Sequence, residues 1–149
     1  MEYFGNKEIL SNHKIGFLCS CKVSANIILK TYDWAIEQRD NGICVVSGFH
    51  SKIEKDVFDI LIKGKQPIIF VLARGMKQRW ESSIKNALRK EKLLIISPFP
   101  AKEKRITSNT SFIRNKIIIE ISDKVYISFA SEGGRLNNLK DLYQSKLFE

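Results

Sequence analysis

The sequence predicts a doubly wound α/β domain, in which helices cover both faces of a mostly parallel central sheet. Two observations lead to this prediction. The short apolar runs Ile43–Val46 and Ile68–Leu72 lack alternating polar residues, which is typical of strands buried on both faces. Segments with apolar residues at helical spacing separate the runs, and strands that alternate with helices build βαβ units. The length of 149 residues fits one such domain, over residues 1–149.

The first strand–helix unit follows a short lead-in. Lys14–Cys19 is the first predicted strand. Ser24 can cap the helix that follows, because its hydroxyl can accept a hydrogen bond from a backbone N–H of the first turn. The apolar residues of this helix stop at Asn41-Gly42, and a glycine just beyond the last helical residue is a common end signal.

The second unit contains the turn around which the chain is organised. Ile43–Val46 leads through Ser47-Gly48 to a helix that continues to Gly64, and Ser51-x-x-Glu54 is a capping box at its start. A strand, a glycine turn and a capped helix form the elementary phosphate-binding unit of α/β proteins, because unpaired N–H groups point towards the ligand. The pattern alone is equally consistent with a turn that only connects two elements.

The next two strands enclose a basic helix. Ile68–Leu72 is the third predicted strand and Leu93–Ile96 the fourth. Residues 77–91 predict a helix between them, with Trp80 and Ile84 on its inner face.

The last third of the chain is less regular. Two prolines interrupt the pattern after the fourth strand, and the polar loop that runs to Thr110 is the best candidate for a functional loop. Residues 115–123 are ambiguous, because their isoleucines favour a strand by composition whereas their spacing fits a helix. Val125–Phe129 is a clearer strand, expected to be an inner strand of the sheet. Gly133-Gly134 precedes a final helix whose leucines exceed what one narrow stripe needs, and this surplus predicts self-association.

The formal net charge of +9 comes from two windows of the sequence. Residues 74–92 carry seven basic and two acidic side chains, and residues 102–116 carry five basic and one acidic. The remainder is balanced, so the excess is clustered. Clustered positive charge predicts a polyanionic partner such as nucleic acid, and a solvated helix face is the alternative explanation for residues 74–92.

The composition indicates the cell compartment of the protein and whether a metal or cofactor is expected. No apolar run approaches the roughly 20 residues that span a bilayer, and the N-terminus lacks the pattern of a secretion signal. Three cysteines, an odd number, are more typical of free thiols in a reducing compartment than of a disulfide framework. Cys19-x-Cys21 lacks the four ligands of a usual zinc site. We therefore expect a cytoplasmic protein with no membrane segment, metal or cofactor.

In parallel sheets, ligands bind outside the carboxyl ends of the strands. That rule places five segments on one edge of the predicted sheet: residues 20–24, 47–51, 73–75, 97–105 and 131–135. The grouping follows from the fold class alone.

Phe112-Ile-Arg-Asn-Lys-Ile-Ile118 is followed by Ile121-Ser-Asp123. This segment resembles the F-x-R-N-R-x-I helix and the L-S-D of the DNA-processing protein A family (DprA, also called Smf). Val45-Val-Ser-Gly-Phe49 with Ile53-Glu54 resembles the family's V-V-S-G-x-A-R-G-I-D. There, His50-Ser-Lys52 replaces Ala-Arg-Gly, and glutamate replaces the aspartate.

Two further segments resemble family motifs more loosely. Cys19-Ser-Cys-Lys-Val-Ser24 aligns with G-S-R-x-x-S and keeps both serines, and Gly134-Arg-Leu-Asn-Asn138 is similar to G-S-L-x-T. The resemblance covers about residues 5–145. It implies a Rossmann-like domain and a helix over residues 112–122. Family members often carry further domains on either side, so this chain corresponds to the core domain.

The resemblance also implies a function. The family binds single-stranded DNA and helps to load the RecA recombinase, and its Rossmann-like domains pair, which predicts a homodimer. The candidate phosphate-binding or DNA-binding residues are Ser20, Lys22, Ser24, Ser47, Gly48, His50, Lys52, Lys102, Lys104, Arg105, Arg114, Asn115, Lys116, Gly134 and Arg135. We expect Arg114 and Lys116 to matter most, at the ligand-facing start of a helix. The aromatic candidates for base stacking are Phe49, Phe99, Phe112 and Trp80, of which Trp80 and Phe112 also fit the core.

Two alternatives remain at this point. A small nucleotide would use the same N–H groups and cations as a polymer, so the sequence does not separate these ligands. The other alternative is a nucleotide hydrolase whose sequence motif has diverged. Related Rossmann-like phosphoribohydrolases carry P-G-G-x-G-T and a catalytic glutamate, whereas Ser131-Glu-Gly-Gly-Arg135 lacks the Gly-Thr. Three acids on one helix, Glu54, Asp56 and Asp59, are more typical of a solvated face than of acid–base chemistry. We therefore expect no catalytic residue.

Overall fold

The computed structural model describes residues 1–20, 23–130 and 134–147, and it leaves the side chain of Leu142 undescribed. Strands and helices alternate along these residues, so the predicted α/β class is confirmed. The strands are β1 (Glu2–Gly5), β2 (Lys14–Cys19), β3 (Cys44–Ser47), β4 (Ile68–Val71), β5 (Leu93–Ser97) and β6 (Lys124–Phe129). The helices are α1 (Ala25–Asp40), α2 (Lys52–Leu61), α3 (Ser82–Arg89), α4 (Ser108–Ile121) and α5 (Arg135–Leu142), with 3-10 turns at Lys7–Ser11 and Gln144–Lys146.

The six strands form one sheet in the order β1-β5-β4-β3-β2-β6. β1 runs antiparallel to β5, and every other neighbouring pair is parallel. The predicted mostly parallel sheet is therefore confirmed, with β3 and β4 as inner strands. The sequence pattern does not predict β1, because its four residues are all exposed and its position depends only on pairing with β5.

The expectation that Val125–Phe129 is an inner strand is wrong. β6 pairs with β2 at the end of the sheet, and beyond β2 its one bridge within the described segments joins Val125 to Leu147. Its apolar residues are nevertheless covered by side chains from a helix. The ring of Tyr126 stacks on that of Trp34 in α1, with centroids 4.5 Å apart. Val125 and Ile127 pack in the core on the other face of the sheet. Layers on both faces thus give an edge strand the composition of an inner one.

Alternate residues of the inner strands belong to two separate cores. Phe17 and Val45 pack with residues of α1, α2 and α3, whereas Leu18 and Val46 pack with residues of α4 and α5. Both faces of the sheet are therefore covered, as the unbroken apolar runs predict.

The ambiguous segment is a helix, as the resemblance implies. Ile118 and Ile119 of α4 are fully buried, so burial against the sheet accounts for the isoleucines that favour a strand by composition. The helix begins earlier than expected, because Thr107 and Thr110 form a reciprocal capping box at its start. Arg114 and Lys116 therefore lie near the middle of α4, and the expectation that they stand at its start is wrong.

Two further helices differ from the sequence prediction. The basic helix predicted over residues 77–91 is shorter, since α3 covers Ser82–Arg89 and residues 77–81 lead into it. The final helix is confirmed as α5, but Leu139 is fully buried and Leu136 and Tyr143 pack against the second core. The apolar surplus from which self-association was expected is thus largely used inside the domain. No helix within the described segments is long and apolar enough to cross a membrane.

Candidate nucleic-acid interface

The turns that follow the parallel strands meet at one edge of the sheet, as the fold class predicts. We call this edge the rim, and it consists of residues 19–20, 47–51, 73–75, 97–107 and 134–135. Lys22 and the expected residues 131–133 lie outside the described part of the chain.

Gly48 and Arg114 are in close contact at the centre of the rim. A Cβ atom on Gly48 would lie 2.5 Å from Cζ and 2.7 Å from Cδ of Arg114, so only glycine permits this approach. Arg114 is 5% exposed, and its Nε donates a hydrogen bond to Oδ1 of Asn115 at 2.8 Å. Burial lowers the pKa of Arg114 below its ordinary value, and the negative charge of Glu54 opposes the shift. The guanidinium is thus a buried positive charge held against the turn.

Glu54 links two turns of the rim. Its Oε1 accepts hydrogen bonds from the backbone N–H groups of His50 at 2.9 Å and Ser51 at 3.1 Å. Its Oε2 accepts from the N–H of Cys19, at the end of β2, at 3.3 Å. The capping box predicted from Ser51 and Glu54 is confirmed. The long-range bond to Cys19 has no signal in the sequence, because the two residues meet only when β2 and β3 pair.

The turn after β3 adopts a backbone conformation that side chains rarely take. Phe49 has a φ of 44°, in the left-handed region. Its ring packs against Phe58 and Phe70, at centroid distances of 4.9 and 5.4 Å. Ser47 is fully buried, and its hydroxyl accepts a hydrogen bond from the N–H of Phe49 at 3.3 Å. The buried aromatic cluster and this hydrogen bond hold the turn in place, so Phe49 and Ser47 support the rim.

The turns after β4 and β5 are joined to each other. The N–H of Gly75 donates to the carbonyl of Glu103 at 2.7 Å, and the hydroxyl of Ser97 donates to the carbonyl of Arg74 at 2.7 Å. A Cβ atom on Gly75 would lie 2.8 Å from Cα of Ala101, so the glycine is required for this contact. The join fixes the base of the 98–107 loop, which carries three exposed cations: Lys102, Lys104 and Arg105.

Two candidate residues, His50 on the turn before α2 and Lys52 at the first position of α2, differ in their surroundings. Lys52 is exposed, but its Nζ pairs with the carboxylate of Asp56 at 2.7 Å, so a phosphate would compete with that pair. His50 is exposed at the rim. Partial burial lowers its pKa below the ordinary 6.5, and the charge of Arg114 acts in the same direction. His50 is therefore neutral at pH 7.

The candidates at the end of β2 have structural partners. The N–H of Ser20 donates to the carbonyl of Phe129 at 2.9 Å, which joins the ends of β2 and β6. Ser24 caps α1 as predicted, with its hydroxyl accepting from the N–H of Ile27 at 3.5 Å.

The candidates on α4 and α5 lie where these helices meet. Arg135 donates from Nη1 to the carbonyl of Ser108 at 3.2 Å, and its guanidinium lies 5.4 Å from the ring centre of Phe112. Gly134 is the N-cap of α5, and Lys116 is half-buried. Phe112 therefore has a cation as its neighbour and belongs to the helix packing.

The basic window 74–92 does not form one surface. Arg74 follows β4 on the rim, whereas Lys92 lies just before β5, at the opposite edge of the sheet. The Nζ of Lys92 donates to the carbonyls of Ile62 and Gly64, both at 2.7 Å, and so closes the end of α2. Clustering in the sequence therefore overstates the clustering of charge in space.

A cavity of about 430 Å³ opens beside the Gly48 turn. Gly48, His50 and Arg114 contribute to its wall, together with aromatic residues of β4 and of the segment before α3. The sequence gives no signal for this cavity, because its walls come from elements far apart in the chain.

Comparisons with known proteins agree with this architecture. The model of the family described as DNA recombination-mediator protein A matches residues 1–141. The chain belongs to this family. Comparison with curated proteins gives no significant match.

Two solved DprA structures share the fold. DNA processing protein A from Helicobacter pylori, described with a single-stranded DNA binding mode, superposes with a TM-score of 0.77 at 19% identity and covers 98% of this chain. DprA from Streptococcus pneumoniae superposes with a TM-score of 0.76 at 18% identity and covers 97%. The chain spans 69% and 51% of the lengths of these two proteins.

Three of the segments that resemble DprA motifs contribute residues 19–20, 47–49 and 134–135 to the rim, and the fourth contacts it through Arg114. The Gly48 turn contacts Arg114 of the F-x-R-N segment, although the two are far apart in the sequence. Their contact gives a structural reason for a glycine in one motif and an arginine in the other.

Proposed function

We propose that this DprA-family chain binds single-stranded DNA through the phosphates of its backbone, along the rim. One observation carries the proposal. The exposed cations Lys102, Lys104 and Arg105 lie on a loop whose base is joined to the turn after β4, on the edge where Gly48 contacts the buried Arg114. Exposed cations fixed at one edge of the sheet suit a polyanion, whose phosphates they can neutralise.

The proposal assigns different tasks to the exposed and the buried cations. The loop cations contact phosphates, and each contact releases counterions from the DNA. Arg114 contributes a fixed positive potential behind the turn backbone, because its guanidinium is buried. His50 donates a hydrogen bond at neutral pH and adds a charge when it is protonated. The proposal contains no catalytic step.

Titration of a labelled single-stranded oligonucleotide at several salt concentrations tests the proposal. In the rim variant, Lys102, Lys104 and Arg105 are all replaced by Gln. Three lost phosphate contacts should reduce the slope of log K against log salt by about 2, since each contact on a single strand contributes about 0.7. The variant should keep the melting temperature of the parent, because these side chains are exposed.

The chain offers a matched control at the opposite edge of the sheet. Lys63, Lys65 and Lys90 are exposed and lie where helices lead into strands. Their replacement by Gln lowers the net charge by the same amount as in the rim variant. The two variants should therefore differ in DNA binding only if the site lies at the rim. Equal losses in both variants would show non-specific attraction, and no binding by the parent chain would refute the function.

The cavity favours a second candidate function, the binding of a small nucleotide. Its volume of about 430 Å³ lies in the range of small-molecule sites. A nucleotide panel in the same titration separates the candidates, because a small nucleotide would bind with a much shallower salt dependence than a polymer.

The proposal extends to partners and compartment. Family membership supports a recombinase as protein partner, a homodimer as the assembly and the cytoplasm as the location. Light scattering at micromolar concentration tests the homodimer, and a monomer at ordinary salt would count against it. A pull-down with purified RecA, with and without single-stranded DNA, tests the recombinase.

A further inference from the structure

We propose that the groove between β1 and α3 binds an extended acidic peptide, which adds to the sheet as a strand beside β1. This inference concerns the end of the sheet at β1 and does not depend on DNA binding at the rim. The groove has a volume of about 730 Å³. It is lined by Glu2, Tyr3 and Phe4 of β1 and by residues of α3 and of the segment before it.

The outer edge of β1 can accept a further strand. β1 pairs with β5 on one side, and within the described segments no strand pairs with its other side. The N–H of Asn6 donates to the carbonyl of Leu93 at 3.1 Å, which continues the antiparallel ladder past Gly5. In such a ladder, alternate residues bond to the partner strand. The backbone groups of Phe4 therefore bond to β5, whereas the N–H and C=O of Tyr3 point to the outer edge.

This edge lacks features that commonly prevent strand addition. Edge strands are often protected by lysine, proline or a bulge. β1 contains neither lysine nor proline, and its register with β5 is continuous. Tyr3 and Phe4 are 39% and 46% exposed, although both side chains are large and apolar. An added strand would cover part of both rings and pair with the backbone between them.

The charges around the groove favour an acidic partner. Lys77, Lys85 and Arg89 line the groove and are exposed. Among the described residues that line it, Glu2 is the one acid. Lys85 and Arg89 lie four residues apart on α3, where like charges repel each other, and no carboxylate of the described segments forms an ion pair with either. A second copy of the chain would bring like charges together across β1, so the charges favour an acidic peptide over self-pairing.

Apolar residues of the groove provide a site for a side chain of the peptide. Met76, Trp80 and Leu88 are half-buried and line the groove. An aromatic or aliphatic residue of the peptide can pack against them while its acidic neighbours pair with the cations. In strand addition, main-chain hydrogen bonds provide affinity and side-chain pockets provide specificity. The C=O of Tyr3 needs a donor, which a peptide backbone has and the sugar–phosphate backbone of DNA lacks, so this edge suits a peptide better than DNA.

Selection from a random decapeptide display library on the intact chain tests the proposal. We expect the enriched peptides to combine acidic residues with an aromatic or aliphatic residue. In the charge variant, Lys85→Glu with Arg89→Glu, the affinity for a synthetic enriched peptide should fall by at least about tenfold, because like charges then face each other. The same peptide with lysine in place of its acidic residues should bind the charge variant and not the parent chain.

Two substitutions of Tyr3 test the pairing of the backbone. Tyr3→Ala removes the ring and keeps the N–H, whereas Tyr3→Pro removes both. The proline should leave the pairing with β5 intact, because the N–H that it removes points to the outer edge. We expect the proline variant to bind the peptide about fivefold more weakly than the alanine variant, since one hydrogen bond is lost. If the proline variant does not fold, the test is whether the bound peptide protects the amide of Tyr3 in the parent chain from hydrogen exchange.

Four outcomes would overturn the proposal. The first is a library with no enrichment, or enriched peptides that bind the parent and the charge variant equally. The second is equal binding by the two Tyr3 variants, with no protection of the Tyr3 amide. The third is a dimer in light scattering that Tyr3→Pro converts to a monomer, which would assign the edge to a second copy. The fourth is loss of oligonucleotide binding in the charge variant without any enriched peptide, which would assign the groove to nucleic acid.

Discussion

Replacement of Glu54 by Gln should loosen the rim at a single point. The carboxylate accepts three backbone hydrogen bonds, two on Oε1 and one on Oε2. A glutamine can keep the two from His50 and Ser51 through its carbonyl oxygen. Its amide NH₂ would then face the N–H of Cys19, and two donors would meet where a hydrogen bond existed. The substitution also removes the negative charge of Glu54, which acts against the lowering of the pKa of Arg114.

The expected cost follows from these contacts. A hydrogen bond to a charged group contributes about 1.5–3 kcal/mol, and the lost bond is long at 3.3 Å, so about 2 kcal/mol is expected for Glu54→Gln. In a domain of this size, 1 kcal/mol shifts the melting temperature by about 2–4 °C, which gives a decrease of about 4–8 °C. Glu54→Ala should cost more, about 3–5 kcal/mol, because it leaves three backbone N–H groups without their acceptor.

Thermal melting and amide hydrogen exchange measure the two consequences. Exchange should accelerate most at the amides of Cys19, His50 and Ser51, which lose or weaken their acceptor. Glu37→Gln is the matched control, since it makes the same chemical change at an exposed residue of α1. If Glu54→Gln melts with the control and these amides keep their protection, Glu54 does not hold the rim together, and the reasoning is refuted.

Three further predictions concern single residues. Gly48→Ala should displace the guanidinium of Arg114, cost about 1–3 kcal/mol in unfolding free energy and weaken oligonucleotide binding; an unchanged melting curve would contradict the tight contact. Because the pKa of His50 is held below 6.5 in the free protein and a bound phosphate would raise it, affinity should increase as the pH falls from about 7.5 to about 5.5, and His50→Gln should flatten this profile. Tyr32→Phe removes a hydrogen bond to Asp56 and should cost about 1 kcal/mol. The same bond, with burial, raises the pKa of Tyr32 to about 12, so its stabilisation should be complete below pH 10 and be lost towards pH 12, as melting in alkaline buffer would show.

Local patterns in the sequence determined most elements of this protein. The unbroken apolar runs of β3 and β4 predict strands covered on both faces, and Ser24, Ser51 and Glu54 predict helix starts that the structure confirms. These features depend on neighbours within a few residues, so a local pattern contains them. The same patterns place the rim, because the carboxyl ends of parallel strands share one edge.

Where a local pattern fits two different structures, the sequence alone did not determine which of them forms. The isoleucines of α4 fit a strand by composition and a buried helix by spacing, and the resemblance to the DprA family resolved the choice. Val125–Phe129 lies at the end of the sheet. It has the composition of an inner strand because α1 covers one of its faces and the core with α4 and α5 covers the other. An edge strand that helices cover and a strand that lies between two others therefore have the same apolar composition.

Only the tertiary structure decided which charges are exposed and which are buried. Arg114 and Lys102 belong to the same basic window, yet one is buried under the Gly48 turn and the other is exposed on a loop. Lys92 lies at the opposite edge, where its Nζ donates hydrogen bonds to the carbonyls that follow α2. The cavity with Trp80 likewise exists only because β4, α2 and the segment before α3 converge. Contacts between residues distant in the chain depend on how the layers pack, and a local pattern carries no information about that packing.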